Sequence, residues 1–136
     1  ARFGDPETQV YVTRLENDLV DLLEASIDGT LAGHELRWSA QSSVCVVMAS
    51  GGYPGSYEKG KVITGIADAD ALPGVKVFHA GTKLDGENVV TSGGRVLGVT
   101  ALDQGLQAAR DLAYEAAAKI QFEGAFARTD IAAKGL

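Results

Sequence analysis

Between Glu35 and Thr100 the chain is a succession of short apolar stretches, each only a few residues from the next and separated by glycine-rich turns. Spacing this close suits strands joined by turns and predicts a mainly antiparallel sheet. Ser43 to Ala49 is a continuous apolar run, which fits a central strand. Glu35–Trp38 and Lys61–Ile66 alternate as half-buried strands do, and Val75–Ala80 reads as another strand. Leu84–Asn88 reads as a turn into Val89–Thr91. Gly94–Thr100 is the next strand, with Arg95, Leu97 and Val99 expected on one face and Val96 and Gly98 on the other.

Two helical patterns flank this region. Val12, Leu15, Leu19, Leu22, Leu23 and Ile27 recur at helical spacing, so one long helix is expected from about Pro6 to Ser26, ended by Asp28-Gly29. A second is expected from about Asp103, as cap, to Gln121. Its stripe of Leu106, Ala109, Ala113, Ala116, Ala117 and Ile120 is small enough to pack closely on a sheet. The tail from Phe122 is apolar enough to fold back. The fold class expected is therefore α+β: a mainly antiparallel sheet packed by helices. A boundary is suggested near Asp28–Ala32, where helical texture gives way to strands.

At 136 residues the chain can bury a core without staples. A net charge of −6 argues against a general nucleic-acid binder, and the aromatic residues do not interleave with basic ones. No apolar run reaches the roughly 18 residues of a membrane span. The single Cys45 excludes an internal disulfide and, within Val44–Met48, reads as a buried structural thiol. The cytoplasm is the compartment expected.

Few side chains are placed for chemistry. Asp5-Pro6-Glu7 reads as a helix start, with Asp5 as cap and Arg2 just ahead of it, where anions bind. Glu16, Asp18, Asp21 and Glu24 are expected to be solvated. Gly51–Gly60 is a long glycine-rich loop whose Tyr53 and Lys59 are its best contacts for a ligand, although a plain surface connection is as good a reading. Gly93-Gly94-Arg95 sets a guanidinium beside bare backbone, which suits phosphate or carboxylate; a strand-face arginine paired with an acid is the alternative. His34 and His79 have no partners at catalytic or metal-ligand spacing and read as packed or partly exposed residues.

Four stretches carry a resemblance. Arg2-Phe3-Gly4-Asp5-Pro6-Glu7-Thr8-Gln9, Val47–Gly55, Val77–Thr82 and Gly93–Ala101 resemble, in order, signatures of the phosphoribosylamine–glycine ligases, which have an ATP-grasp core. Phe122–Phe126 and Arg128–Ile131 resemble that family's C-terminal end. The likeness covers essentially the whole chain. It implies that residues 1–30 are the tail of the ATP-grasp core with its last helix, and residues 31–136 the C-terminal α+β domain of the ligase.

The same resemblance implies the chemistry. ATP, with magnesium or manganese, would activate glycine, and the amine of 5-phosphoribosylamine would attack to give glycinamide ribonucleotide, a step of purine biosynthesis. The metal-binding Glu and Asn are expected upstream of Ala1, so no metal ligand and no bound cofactor are expected in this chain. The missing N-terminal ATP-grasp portion would be its partner, and alone it would be inactive. Arg2 would reach the transferring phosphoryl or acyl group. Asp5 and Glu7 would orient Arg2 or bind a substrate amine. Tyr53, Lys59, Gly93, Gly94 and Arg95 would contact the acceptor. The alternative is a non-catalytic module for packing or oligomerisation.

Overall fold

The computed structural model describes residues 3–136. Its centre is a four-stranded antiparallel sheet. The strands are β1 (Ser42–Ala49), β2 (Val75–His79), β5 (Arg95–Asp103) and β6 (Phe126–Ala127), in the order β2-β5-β1-β6. A two-stranded ribbon, β3 (Thr82–Asp85) with β4 (Asn88–Thr91), turns at Gly86 as expected. The α+β class and the antiparallel sheet are as the sequence implies.

Pleating divides the sheet into two faces. Val44, Val46 and Met48 pair with Ala101, Val99 and Leu97, which in turn pair with Val75, Val77 and His79. Against this face packs α4 (Leu106–Lys119), through Ala109, Ala113, Ala116 and Ala117, with Ile120 just beyond it, all buried. The small stripe lets the helix backbone approach the sheet, and valines fill the space beneath it. The opposite face, around Cys45, Gly98 and Thr100, receives α1 (Glu7–Arg14): Gln9 lies over Gly98, and the Thr13 hydroxyl meets that of Ser43 at 2.8 Å.

One irregularity corrects the expected alternation. Met48 pairs with Leu97 but Ala49 pairs with Arg95, which leaves Val96 as an extra residue. Such a bulge re-aims the side chains around it. Val96 and Leu97 are both in the core, and Arg95 turns to the α1 side, away from Leu97 and Val99.

The first helix is not continuous. α1 ends at Arg14 and α2 runs Leu19–Ile27. The break has a competitor for the backbone: Leu15 bridges Trp38, Glu16 N–H donates to the Arg37 carbonyl, and the Asn17 amide binds Glu35 O at 3.0 Å and Arg37 N–H at 2.6 Å. Asp18 then caps α2 by accepting from Val20 N–H at 2.8 Å, so it is not merely solvated. Glu35–Trp38 and Lys61–Ile66 contribute bridges rather than full strands.

Neither expected acidic cap forms. Asp5 makes no cap bond to α1. Asp103 closes β5 and accepts from Gln104 N–H, while Gly105 occupies the cap position of α4. The tail folds back as expected: Arg110 donates to the carbonyls of Thr129 and Ile131, and the Tyr114 hydroxyl donates to that of Arg128.

Candidate functional site

β1 and β2 both run antiparallel to β5, so the C-terminal ends of the first two meet the N-terminal end of the third. Three of the singled-out stretches therefore come together at one end of the sheet: Ser50–Gly55 after β1, His79–Thr82 at the end of β2, and Gly93–Arg95 entering β5. The fourth, Gly4–Asp5 before α1, is drawn to the same end by Arg95.

The attachment is specific. The Arg95 guanidinium donates to the Asp5 carbonyl at 2.9 Å and pairs with its carboxylate at 3.1 Å, and Gln9 Nε2 donates to the other carboxylate oxygen at 3.2 Å. This is why Asp5 does not cap its helix. A residue ninety positions downstream holds its carboxylate instead, and tertiary pairing overrides the local signal.

The glycines are placed by close approach. Ser50, fully buried, donates its N–H to Gly94 O at 2.8 Å and its hydroxyl to Gly93 O at 2.9 Å. A Cβ on Gly93 would lie 3.0 Å from Gly81 Cα, and one on Gly94 would press on Tyr57 at 3.0 Å and on the Tyr53 ring. Only glycine lets these segments touch. Tyr53 and Tyr57 stand with ring centres 6.3 Å apart, and Lys59 Nζ lies 6.0 Å from the Tyr57 ring. The loop is tied at its base, since Lys61 pairs with Glu58 at 2.7 Å and Glu123 at 2.9 Å, and Gly60 N–H donates to Thr91 O. The hydrogen bond and charge of Lys61 hold the Glu58 carboxyl below its ordinary range, and the hydrogen bonds to Glu58 and then Glu123 hold the Lys61 ammonium above its own.

The structure thus brings together Asp5, Gly93, Gly94, Arg95, Tyr53 and, at the rim, Lys59. Glu7 lies with its carboxyl over Gly4 and also lines a second hollow beside Val10, Cys45 and Leu106. Arg2 lies outside the described residues. Burial raises the Cys45 thiol, which befits a structural residue. No group of three or more His, Cys, Asp or Glu side chains fit for a metal ion occurs among the described residues. His79 has a partner that the sequence reading did not name. It lies exposed at this same end with Nδ1 2.9 Å from the Thr82 hydroxyl, a pairing that Phe78-His79-Ala80-Gly81-Thr82 could have flagged.

An antiparallel sheet packed by helices, whose glycine-bordered end gathers a carboxylate, a guanidinium and two tyrosines, defines an α+β domain. The particular family follows from comparison. Residues 43–134 match the model described as phosphoribosylglycinamide synthetase, C domain, and the chain belongs to that family. It is 56% identical over 99% of its length to the chloroplastic phosphoribosylamine–glycine ligase of Arabidopsis thaliana, of which it covers 26%. To the Rhodopirellula baltica enzyme of that name it is 52% identical over 99% of its length, covering 31% of the relative. A crystal structure of phosphoribosylamine–glycine ligase from Thermotoga maritima superimposes with a TM-score of 0.74 at 34% identity, covering 96% of this chain and 31% of that one. The chain spans about a quarter to a third of the length of these relatives. No helix among the described residues is long and apolar enough to cross a membrane.

Proposed function

We propose that this chain is the C-terminal part of a ligase that joins glycine to 5-phosphoribosylamine in cytoplasmic purine biosynthesis, and that its convergent sheet end faces the substrates. The carrying observation is the Arg95–Asp5 clamp. It fixes Asp5 to the start of β5, beside the two glycines and the tyrosine loop, so four separate stretches meet at one end of the sheet. In this reading residues 1–30 complete the ATP-grasp core and residues 31–136 close over it.

ATP and its magnesium or manganese belong to the rest of the ligase. No group of three or more His, Cys, Asp or Glu side chains able to hold a metal ion occurs among the described residues. When bound, the nucleotide supplies the phosphoryl group that activates the glycine carboxylate. The acceptor's amine then forms the C–N bond as phosphate leaves and the nitrogen gives up its proton. This chain's share is positioning. Arg2 reaches the transferring phosphoryl or acyl group. Asp5, better placed than Glu7, takes a substrate amine. Arg95 uses two donors on Asp5 and retains others for the acceptor's 5-phosphate, next to Gly93, Gly94, Tyr53 and Lys59.

The test is ADP formation dependent on both glycine and 5-phosphoribosylamine. The expected result is turnover by the whole ligase and none by the 136-residue chain alone. In the whole ligase, Arg2→Ala lowers kcat by about 10²–10³, the usual cost of losing one preorganised charge donor. Turnover by the chain alone would defeat this division of labour. A packing or oligomerisation module would instead leave kcat unmoved in Arg2→Ala.

A further inference from the structure

Ser50 is the first residue beyond β1, and its side chain is buried although it is polar. We propose that Ser50 is a positioning residue, which holds the Gly93–Gly94 backbone and through it aims the Arg95 guanidinium. The proposal rests on the ligase reading only for what Arg95 then binds.

The Arg95 side chain holds itself in place weakly. It is 41% exposed and its partner Asp5 46% exposed. Ion pairs open to water are weak, and long side chains resist being ordered. The aim of the guanidinium therefore depends on the backbone that carries it. That backbone enters β5 through two glycines, and the peptide unit between them has no Cβ on either side to restrict its rotation. Ser92 N–H and Gly93 N–H both donate to Gly81 O, at 2.7 and 3.1 Å, which secures the amide side of Gly93. Ser50 secures the carbonyl side. Its hydroxyl donates to Gly93 O at 2.9 Å, and its N–H donates to Gly94 O at 2.8 Å. One residue thus fixes two successive carbonyls, and with them both peptide planes that lead into Arg95. This grip lies directly before the bulge at Val96, so it also keeps the register in which Arg95 faces α1.

The test uses the whole ligase. With labelled arginine, the Arg95 guanidinium resonance is identified by its loss in Arg95→Lys. In Ser50→Ala the Arg95 guanidinium protons should exchange with water faster than in the wild type. In steady state, Ser50→Ala should raise KM for 5-phosphoribosylamine about threefold, within the range of one net hydrogen bond, and leave KM for ATP and glycine unchanged. An indirect effect cannot exceed the loss of the group it positions, so Arg95→Ala sets the ceiling. In the Arg95→Ala background, Ser50→Ala should add nothing. Ser50→Cys keeps a side chain of similar shape with a weaker donor and should fall between wild type and Ser50→Ala. Unchanged guanidinium exchange overturns the proposal. A Ser50→Ala effect that persists in full without Arg95, equal losses for all three substrates, or a Ser50→Ala protein that does not fold would make Ser50 a fold residue and overturn it too. Faster exchange in Ser50→Ala, with KM for 5-phosphoribosylamine unmoved there and in Arg95→Ala, would sink the acceptor reading and leave Ser50 as the residue that positions Arg95.

Discussion

Residues 42–136 and residues 3–38 treat their apolar side chains in opposite ways. Of the twenty-one buried hydrophobic residues among those described, only Leu22 and Ala25 precede Ser42. Of the thirteen large hydrophobics left exposed, eight lie between Phe3 and Trp38, and Ile27 is 85% exposed. Phe3, Val12, Leu15, Leu19, Leu23 and Trp38 line one open groove there. The sheet with α4 is a finished core. The helical start has an apolar face with nothing upon it, and a patch of that kind marks an interaction surface. This contrast supports the proposed assignment of residues 1–30 to the ligase core.

The largest effect that sharpens this contrast is in the finished core. Leu97 is buried at the centre of β5, and Leu97→Ala should cost about 2–5 kcal/mol in urea unfolding of the chain. The partner measurement is Ile27→Ser, which should move the same transition by less than about 0.5 kcal/mol in the chain alone. Comparable costs for the two would erase the distinction between the regions.

Arg95 joins the two regions, and its loss comes next. In the whole ligase, Arg95→Ala should lower kcat/KM for 5-phosphoribosylamine about tenfold, the scale of one charge-assisted hydrogen bond, with KM for ATP and glycine little changed. Equal effects on all three substrates would make Arg95 a fold residue and dissolve its acceptor role.

The smallest effect concerns the sheet's outer edge. β2 is an edge strand, and Asp70 blunts it by accepting from Val77 N–H at 2.8 Å while pairing with Lys76 at 2.8 Å. The Lys76 hydrogen bond, then that of Val77, holds the Asp70 carboxyl below its ordinary range. A depressed folded value means that the stabilisation is complete above the unfolded carboxylate value of about 3.9 and is lost as pH falls through the lower folded value. Because the pair is partly exposed, Asp70→Asn should cost no more than about 1 kcal/mol near neutral pH. Urea titrations of both proteins should show that gap closing below about pH 4. A gap that widens on acidification would reverse the assignment.

What could be read from the chain divides along the same line. β1, β2, β5 and the alanine stripe of α4 were legible because period-2 and helical patterns coincide there with actual burial. The split at Leu15–Asp18 was hidden because the apolar spacing runs on through it. Its cause lies twenty residues away in Glu35–Arg37, although Asn17-Asp18 is a capping pair that signals the second helix. The four stretches of the site were legible as words. Their convergence depends on strand direction, and Arg95's turn towards Asp5 depends on a bulge at Val96 that no local preference announces.

The account's central claim is that the face of residues 3–38 is completed by the rest of the ligase whereas the sheet with α4 stands complete. Amide hydrogen exchange, compared between the 136-residue chain and the whole ligase, tests it directly. The account predicts that the amides of Leu19–Ile27 exchange far more slowly in the whole ligase while those of β1 and β5 keep their rates. Unchanged exchange in Leu19–Ile27 would contradict it.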